Sequence, residues 1–393
     1  MAAVVSAPVS VFAELVSRFP TWVELKTFLT SPDGGSLSVS GGYDGHPYEL
    51  ISYIKGVSDL TMPHVGAFRS VIWDIESNRP VSVAPFKSEK GESLPTEGEP
   101  GDYIIQKFHD GVMINVHWCS YTNKWIANTR HIMGAQCHFY CTTASFATLF
   151  WSTFNKVKPC KLEDKNATYS FVLQHHSNRI VCPVTEDTVY LVEKITIAPD
   201  ASVTFEPQTS LVVFPTWESV ENMVQAWDMA FKHTVQGLVV KTTDGRRWKL
   251  RTCEYNRIHE LRTNNANLTY VWVEKLLKGQ YDEYIALYSD EKDAAERTKQ
   301  ALTRLINLTL NTYFNVFIHR CMDKSDIPAQ CRPFVYKMLT KYNTELKPTG
   351  ARVCKQTAVD VIYSCDPAQL VYAINWKKHA KPAAAGAGAA SAE

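Results

Sequence analysis

The sequence predicts an α+β protein in which a mostly β front part precedes a smaller helical part. In the front part, short runs of alternating apolar residues are separated by turn signals rich in Gly, Asp and Pro. From Tyr270 to Leu346, apolar residues instead recur at spacings of three and four, which is typical of helices. From Lys377 onward the chain is dominated by Ala and Gly and cannot form a packed core. We therefore predict domains at residues 1–270 and 271–376, followed by a disordered tail at 377–393.

The composition excludes several broad classes of protein. With 393 residues and a 45% apolar share, the chain is long enough for two or three domains with sizeable cores. A formal net charge of +1 means that a nucleic-acid partner would have to meet a local basic patch. Ten scattered cysteines and the absence of a basic stretch in Met1–Ala13 predict reduced thiols in the cytoplasm. No apolar stretch reaches the length of a membrane span, so no membrane partner is expected.

The individual elements follow from local patterns. Pro20-Thr21 separates two helical patterns within Val11–Thr30, and Ser31–Gly45 is predicted to be a loop because it is rich in Gly, Ser and Asp. Tyr48–Lys55 fits a helix or a strand equally well. The remaining predicted elements are strands at Phe68–Asp74, Pro80–Pro85, Lys124–Thr129, Ser170–Pro183 and Val189–Ile197, and helices at Ala144–Phe154 and Trp217–Phe231.

The stretch Tyr103–Trp118 is predicted to be a hairpin, because two alternating runs flank the turn dipeptide Asp110-Gly111. Lys107 leaves the first strand just before this turn. A lysine held there can lose part of its hydration, which lowers its pKa and makes the amine nucleophilic. The alternative is an ordinary exposed lysine, which this stretch alone favours. A second hairpin is predicted for Gly237–Lys241 and Arg247–Arg251.

Several basic residues lie close to turns or strand ends. Cations at successive strand ends can line one cleft and hold a polyphosphate, although a single charged strand end is usually only solvated. The stretches concerned contain Arg69, Lys87, Lys107, Arg179 and Arg246–Arg251.

In sequence order, these stretches resemble the nucleotidyltransferase motifs of ATP-dependent RNA ligases, closest to the bacteriophage tRNA-repair type. YIIQKFHDGVMI resembles the family's Lys-x-Asp-Gly motif, and TYSFVLQHHSNRIV resembles its Phe-Glu…Asn-Arg-Ile-Val motif. QGLVV is similar to Glu-Gly-x-Val, and RWKLR to the Lys-x-Lys strand. RSVIWD, VAPFK and ELRTN are similar to flanking elements, so that the resemblance spans Arg69–Asn264.

The resemblance implies an antiparallel-sheet nucleotidyltransferase (adenylation) domain followed by a smaller all-helical C-terminal domain. It also implies an enzyme that uses ATP and Mg²⁺. Lys107 would attack the α-phosphate of ATP to give a lysyl-AMP, and AMP would pass to an RNA 5′-phosphate. A 3′-hydroxyl end would then displace AMP and seal the strand, as in RNA repair. The implied partner is RNA with these two ends, for which a nicked tRNA is one candidate, and the oligomeric state is left open.

The resemblance assigns roles to nine residues. Lys249 and Arg251 would lower the pKa of Lys107 by repulsion and stabilise charge on the phosphates. Arg69 would bind the outgoing pyrophosphate, and Phe171 would pack on adenine. The catalytic residues are therefore Lys107, Lys249 and Arg251, and the cofactor-binding residues are Arg69, Ile105, Asp110, Gly111, Phe171, Gln236 and Lys249. No metal ligand is assigned.

The chain departs from the family pattern at four places. Lys107-x-x-Asp110-Gly111 is one residue longer than Lys-x-Asp-Gly, an insertion that we expect a bulge to absorb. Val172 and Gln236 stand where the family has glutamates, which removes two negative charges. Arg251 replaces the second lysine of the last motif, keeping the charge without a proton donor of suitable pKa.

These departures keep other interpretations open. The main alternative is a catalytically silent homologue that binds a nucleotide or an RNA end. A GTP-dependent capping enzyme is less favoured, because helices rather than a small barrel follow the last motif. A zinc site at Cys137-His138-x-x-Cys141 with Cys160, or at His175-His176, has unsuitable spacing, and packed side chains are the preferred interpretation.

The helical part has two interpretations of its own. It can be a stabilising cap on the catalytic domain, which is the simpler interpretation because basic residues on helix faces are usually only solvated. It can also be a domain that recognises a folded RNA through phosphate contacts. The residues for the second interpretation are Lys299, Arg304, Arg320, Lys324, Lys337 and Lys341.

Overall fold

The computed structural model describes residues 10–43, 45–95, 99–140, 143–207, 214, 216–231 and 234–376. Contacts divide the chain into two compact units, Met1–Leu261 and Arg262–Glu393. The predicted boundary after residue 270 stays a prediction, and the predicted tail at 377–393 lies outside the described residues.

The described residues form thirteen strands and eleven α-helices, an α+β composition as predicted. The strands are β1 Ser38–Tyr43, β2 His46–Ser52, β3 Val71–Asp74, β4 Arg79–Val83, β5 Glu89–Lys90, β6 Ile104–Phe108, β7 Val112–Cys119, β8 Lys124–Asn128, β9 Ala167–Gln174, β10 Thr188–Ile197, β11 Val203–Pro207, β12 Gly237–Lys241 and β13 Arg247–Arg251. The helices are α1 Val11–Arg18, α2 Trp22–Thr30, α3 Phe146–Val157, α4 Trp217–Phe231, α5 Cys253–Arg262, α6 Leu268–Leu277, α7 Tyr281–Leu287, α8 Lys292–Tyr313, α9 Arg332–Lys341, α10 Lys355–Tyr363 and α11 Pro367–Ile374.

The first sheet has the antiparallel order β1-β2-β3-β4. The helices α1 and α2 belong to its core, in which Phe12, Leu25 and Trp73 are buried. Thr21 caps the start of helix α2: its side chain accepts a hydrogen bond from the Glu24 backbone N–H, while the Glu24 side chain accepts one from the Thr21 N–H. The predicted helical pair is therefore confirmed.

The second sheet has the antiparallel order β11-β10-β9-β7-β8. Its two faces differ in polarity because side chains alternate along each strand. One face packs Ile114, Val116 and Phe171 into a core that includes residues of α3. The other face carries polar residues such as Asn115 and Ser170, whose side chains form a hydrogen bond of 2.8 Å.

The third sheet has the order β5-β13-β12-β6, in which only the two-residue pairing of β5 with β13 is parallel. Ile105, Leu238 and Trp248 lie in its apolar core together with residues of α4. The opposite face carries the residues of β13 that alternate with Trp248, and it contributes to the candidate site.

The predicted hairpin at Tyr103–Trp118 is wrong, because β6 and β7 belong to different sheets. The chain passes from the third sheet to the second at Asp110-Gly111. Gly111 has φ +152°, and a Cβ atom there would lie 2.4 Å from the Leu173 carbonyl oxygen, so the crossing requires glycine. The second predicted hairpin is confirmed, since β12 and β13 pair from Gly237↔Arg251 to Lys241↔Arg247.

In the second unit, the described elements are the helices α6–α11 with short 3₁₀ and π turns. Their core buries residues such as Leu305, Phe334 and Ile362. Among the helices that the structure describes, none combines the length and apolarity needed to cross a lipid bilayer.

Candidate functional site

The candidate site is a pocket in the first unit, lined by residues of both the second and the third sheet. Its basic residues come from two segments. Arg69 precedes β3, and Arg247, Lys249 and Arg251 are alternate residues of β13, so that all three lie on one face of that strand. The sequence thus brings four basic residues together, three of which were predicted.

Arg247 is the most deeply buried of these cations, with 5% of its surface exposed. Its Nη1 atom is 3.9 Å from Oε2 of Glu193, whose other oxygen lies 3.0 Å from the Lys241 amine. Burial lowers the pKa of Arg247, and Glu193 opposes that shift. Among the described residues, Nε and Nη1 of Arg247 have no hydrogen-bond acceptor. Unpaired guanidinium donors beside a pocket are groups that an anionic ligand can satisfy.

Lys249 presents an amine to the pocket without a partner. Nζ is 5.2 Å from the centre of the Phe108 ring, and within the described part of the chain it makes no hydrogen bond or ion pair. Burial lowers the pKa of Lys249 to about 6, helped by repulsion from Arg69, Arg247 and Arg251. Both effects favour the unprotonated amine.

Arg69 and Arg251 are the other two arginines that line the pocket. Arg69 donates from Nη1 to Sδ of Met113 at 3.2 Å, and burial followed by repulsion from Arg247 lowers its pKa to about 10. The Arg251 guanidinium lies 5.5 Å from each of the Phe108 and Tyr255 rings. Neither arginine forms an ion pair with a carboxylate of the described residues, so both charges are available to a ligand.

Asp110 is buried at one side of the pocket and ties three segments together. Its Oδ2 accepts hydrogen bonds from the backbone N–H groups of Val181 at 3.0 Å and Cys182 at 2.8 Å. Its Oδ1 accepts one from the Tyr255 hydroxyl of α5 at 2.7 Å. Because both oxygens are engaged, Asp110 fixes the geometry of the crossing from β6 to β7 next to Gly111.

Gln236 belongs to the same network. With its amide oxygen facing Tyr255 and Arg251, it accepts hydrogen bonds from Nε and Nη2 of Arg251, both at 3.3 Å. The Tyr255 hydroxyl lies 3.2 Å from the same oxygen, but its proton is donated to Asp110. Its amide nitrogen then donates to the His109 carbonyl at 3.0 Å. Gln236 therefore orients Arg251.

The residues of the pocket do not form a magnesium site of the usual kind. Magnesium prefers carboxylate oxygens, and Val172 and Gln236 supply none. Asp110 is the only carboxylate among the described lining residues, and both of its oxygens already accept hydrogen bonds. We therefore assign no step to Mg²⁺.

The structure does not bring Lys107 to the basic residues, contrary to prediction. Lys107 pairs with Leu238 and Leu238 with Leu250, whereas Gln106 pairs with Val239 and Val239 with Lys249. Paired residues of neighbouring strands share a face, so Lys107 and Lys249 point to opposite faces of the sheet.

The β6–β12 register is regular from Ile104 to Phe108, and successive residues of a strand point to opposite faces of the sheet. Phe108 consequently lines the pocket, while Lys107 is exposed on the other side. Lys249 and Arg251 therefore lie on the opposite face of the sheet from Lys107, whereas the predicted like-charge repulsion requires them beside it.

Ile105 and Phe171 also lie away from the pocket. Ile105 is 2% exposed within the core beneath α4, two residues before Lys107 on the same face. Phe171 is fully buried in the core beneath α3, with ring centres 5.3 Å from Phe150 and 5.6 Å from Phe154. Both are core residues and neither lines the candidate pocket.

Several lining residues were not predicted as site residues. The alternation in RWKLR was a signal for Arg247, whereas Tyr255 on α5 had no local signal. The His109 ring stacks on Tyr190 with centres 3.8 Å apart, and burial followed by repulsion from Lys107 lowers its pKa to about 4. His109 is therefore a neutral, flat side chain at the edge of the pocket.

The candidate zinc positions have structural roles in the residues described. Cys137 and Cys160 pack against the core beneath α3, while Cys141 lies outside the described residues. His175, His176 and Asp187 form a cluster whose potential ligand atoms lie within 4.8 Å of one another. Nδ1 of His176 is 2.8 Å from Oδ1 of Asp187, and Nδ1 of His175 accepts from the Ser177 N–H, so these nitrogens already have partners.

The basic residues proposed for RNA contact lie on or between α8 and α9. Five of them are exposed, and Lys341 is half-buried with its amine 3.6 Å from Asp360. The Lys337 amine lies 3.3 Å from Sγ of Cys365 and 3.5 Å from Oε1 of Gln369. Their role in RNA binding stays a proposal.

Together, fold and pocket define an α+β protein with antiparallel sheets and a cation-lined pocket suited to a polyanion. No protein-family model matches this chain, and no curated protein sequence matches it. In shape it is similar to an archaeal ATP-dependent RNA ligase solved in two forms. Each match has 13% identity and a TM-score of 0.40, covering 73% and 76% of this chain and 77% and 82% of the ligase chains. It is also similar to a putative ATP-dependent DNA ligase from Aquifex aeolicus, with 10% identity, a TM-score of 0.34, and coverage of 79% and 77%. At this level of similarity, no residue role is transferred.

Proposed function

We propose that this protein is an ATP-dependent RNA ligase, a nucleotidyltransferase that joins RNA 5′-phosphate and 3′-hydroxyl ends through a lysyl-AMP intermediate. The observation that carries the proposal is the convergence of Arg69, Arg247 and Arg251 around the unpaired amine of Lys249 in one pocket. The order of the motifs along the chain also supports it.

The chemistry of the pocket suits the binding and activation of a triphosphate. Guanidinium groups bind phosphate oxygens bidentately and stabilise the charge that develops on a leaving pyrophosphate. Asp110 accepts a hydrogen bond from Tyr255, and Gln236 accepts hydrogen bonds from Arg251. The positive charge of Arg251 is therefore held in position before the ligand binds. After lysyl-AMP forms, AMP passes to the RNA 5′-phosphate, and attack by the 3′-hydroxyl releases AMP.

The biological setting belongs to the same proposal. RNA repair in the cytoplasm, with a nicked tRNA as one candidate substrate, is consistent with this reaction. The exposed basic residues of α8 and α9 are candidates for contacts with RNA phosphates.

A second candidate function is a catalytically silent protein that binds nucleotides or RNA ends. The observation that favours it is the presence of Phe108, Val172 and Gln236 in the pocket, three side chains that supply neither an amine nor a carboxylate. Such a pocket would keep its attraction for phosphate through the arginines alone.

Incubation with α-labelled ATP separates the two functions. The proposed ligase is expected to retain the label after denaturation and to lose it when pyrophosphate is added before denaturation, because the first step is reversible. GTP in place of ATP tests the capping alternative. Absence of covalent label with either nucleotide, together with retained binding of α,β-methylene-ATP, would support the silent protein instead.

A further inference from the structure

We propose that Lys249, not Lys107, is the nucleophile that carries AMP. This inference rests on the proposed function and assigns the residue that performs its first step. It is carried by the position of the Lys249 amine on the pocket side of the third sheet, and by the position of Lys107 on the other side.

Among the described residues, the lysines near the pocket leave one candidate nucleophile. Of the residues that the structure describes around this pocket, Lys249 is the only lysine in the lining. Lys107 is excluded by its strand register and its exposure. Lys87 is near enough to contribute to the repulsion on Lys249, but it is not part of the lining.

The Lys249 amine lies on the pocket side of the third sheet. Nζ lies over the Phe108 ring at 5.2 Å, on the same face of the third sheet as Arg247 and Arg251. Phe108 lies on β6, which is separated from β13 by β12, and its ring supplies an apolar surface beside the amine. Within the described residues no carboxylate pairs with Nζ, so no ion pair stabilises the charged form of the lysine.

The cations around Lys249 are arranged to bind an anion. Arg247 is nine-tenths buried and lines the pocket, and its Nη1 atom lies 3.9 Å from Glu193. Among the described residues neither Nε nor Nη1 has a hydrogen-bond acceptor, which points to an anionic ligand beside Lys249. Along β13, Arg247 lies two residues before Lys249 and Arg251 two residues after it, so both arginines flank it on the same face. A triphosphate held by these arginines would bring its phosphorus atoms to the amine.

The bond changes follow directly. The lone pair of the neutral Lys249 amine attacks the α-phosphorus of ATP, and a nitrogen–phosphorus bond forms. The bond between the α-phosphorus and the oxygen bridging to the β-phosphate breaks, and pyrophosphate leaves with that electron pair. One amine proton is lost to pyrophosphate, which gives a neutral phosphoramidate nitrogen. The low pKa of Lys249 supports this step, because no base is needed to create the free amine.

The test is to locate the adduct by peptide mass spectrometry after incubation of the full chain with ATP. We expect AMP on the peptide that contains Lys249. The matched variants are Lys249→Met and Lys107→Met, which remove one amine from opposite faces of the same sheet. Lys249→Met is expected to reduce covalent labelling at least about 100-fold, whereas Lys107→Met is expected to label within about twofold of wild type.

The possible failures are distinguishable. AMP on Lys107, Lys87 or another lysine would overturn the assignment and leave the proposed function standing. No adduct on any residue would overturn both. Because the site is mapped on the wild-type chain, a folding defect in Lys249→Met cannot decide the outcome. Binding of α,β-methylene-ATP to that variant additionally shows whether its pocket is intact.

Discussion

The buried amine of Lys249 predicts an unusual dependence of stability on pH. The folded-state pKa is about 6, against an ordinary value of 10.5, so between these limits the unfolded chain binds about one more proton than the folded chain. Stability therefore rises with pH in this window, by about 1.4 kcal/mol per pH unit for one proton. From pH 7 to pH 9, Lys249 should contribute a gain of about 2.5 kcal/mol. Lys249→Met replaces the amine with an unbranched apolar chain and removes this contribution.

The assay is urea unfolding of both proteins at pH 7, 8 and 9, followed by tryptophan fluorescence. Of ten tryptophans, Trp272 and Trp376 lie in the second unit and the other eight in the first, so the signal reports mainly the first unit. The free-energy difference between wild type and Lys249→Met should move by about 2.5 kcal/mol in favour of wild type across this range. Lys107→Met controls for the loss of a lysine. Parallel pH profiles for wild type and Lys249→Met would refute the conclusion that the Lys249 amine is neutral in the folded state.

Three further predictions follow from the pocket. Arg251→Met should weaken α,β-methylene-ATP binding about tenfold or more in titration calorimetry at low salt, because hydrogen bonds to charged groups contribute about 1.5–3 kcal/mol. Unchanged affinity would exclude Arg251 from the phosphate site. Tyr255→Phe removes the hydroxyl that donates to buried Asp110 at 2.7 Å, and it should lower the free energy of urea unfolding by about 1.5–3 kcal/mol; a loss below about 0.5 kcal/mol would contradict this. Gly111→Ala should destabilise the fold by at least about 2 kcal/mol in thermal unfolding, because its Cβ would meet the Leu173 carbonyl oxygen. Gly101→Ala is the control and should change stability little, because its Cβ would meet no atom within 4 Å. Equal effects of the two substitutions would contradict the crossing geometry.

Local sequence patterns predicted elements whose partners are close in the chain. The β12–β13 hairpin and the α1–α2 pair were correct because turn and cap residues determine them locally. Asp110-Gly111 has the same local signal as a hairpin turn, but its strands find partners far away in sequence, β12 for β6 and β9 for β7. A dipeptide preference cannot distinguish a hairpin from a crossing between sheets.

The Gly-rich and Ser-rich composition of Ser31–Gly45 led to a second wrong prediction. Ser31–Gly45 was predicted to be a loop, yet β1 lies within it at Ser38–Tyr43. As an edge strand paired only with β2, it needs few apolar residues, so its polar and glycine-rich sequence resembles a loop.

The candidate site was predictable where strand alternation determines the side-chain direction. Lys249 and Arg251 on β13 and Arg69 lie in the pocket, as do Asp110, Gly111 and Gln236. Ile105, Phe171 and Lys107 do not line this pocket. Matching a motif by its letters does not count residues along a strand, and a shift of one residue moves a side chain to the opposite face. Tyr255 joins Asp110 across 145 residues, a contact that no local pattern contains.

The most direct measurement of the central claim is a crystal structure with α,β-methylene-ATP, whose α–β linkage cannot be cleaved. The account predicts that the triphosphate contacts Arg69, Arg247 and Arg251 and that Nζ of Lys249 faces the α-phosphorus. A nucleotide bound outside this pocket, or with its α-phosphate beside Lys107, would contradict it.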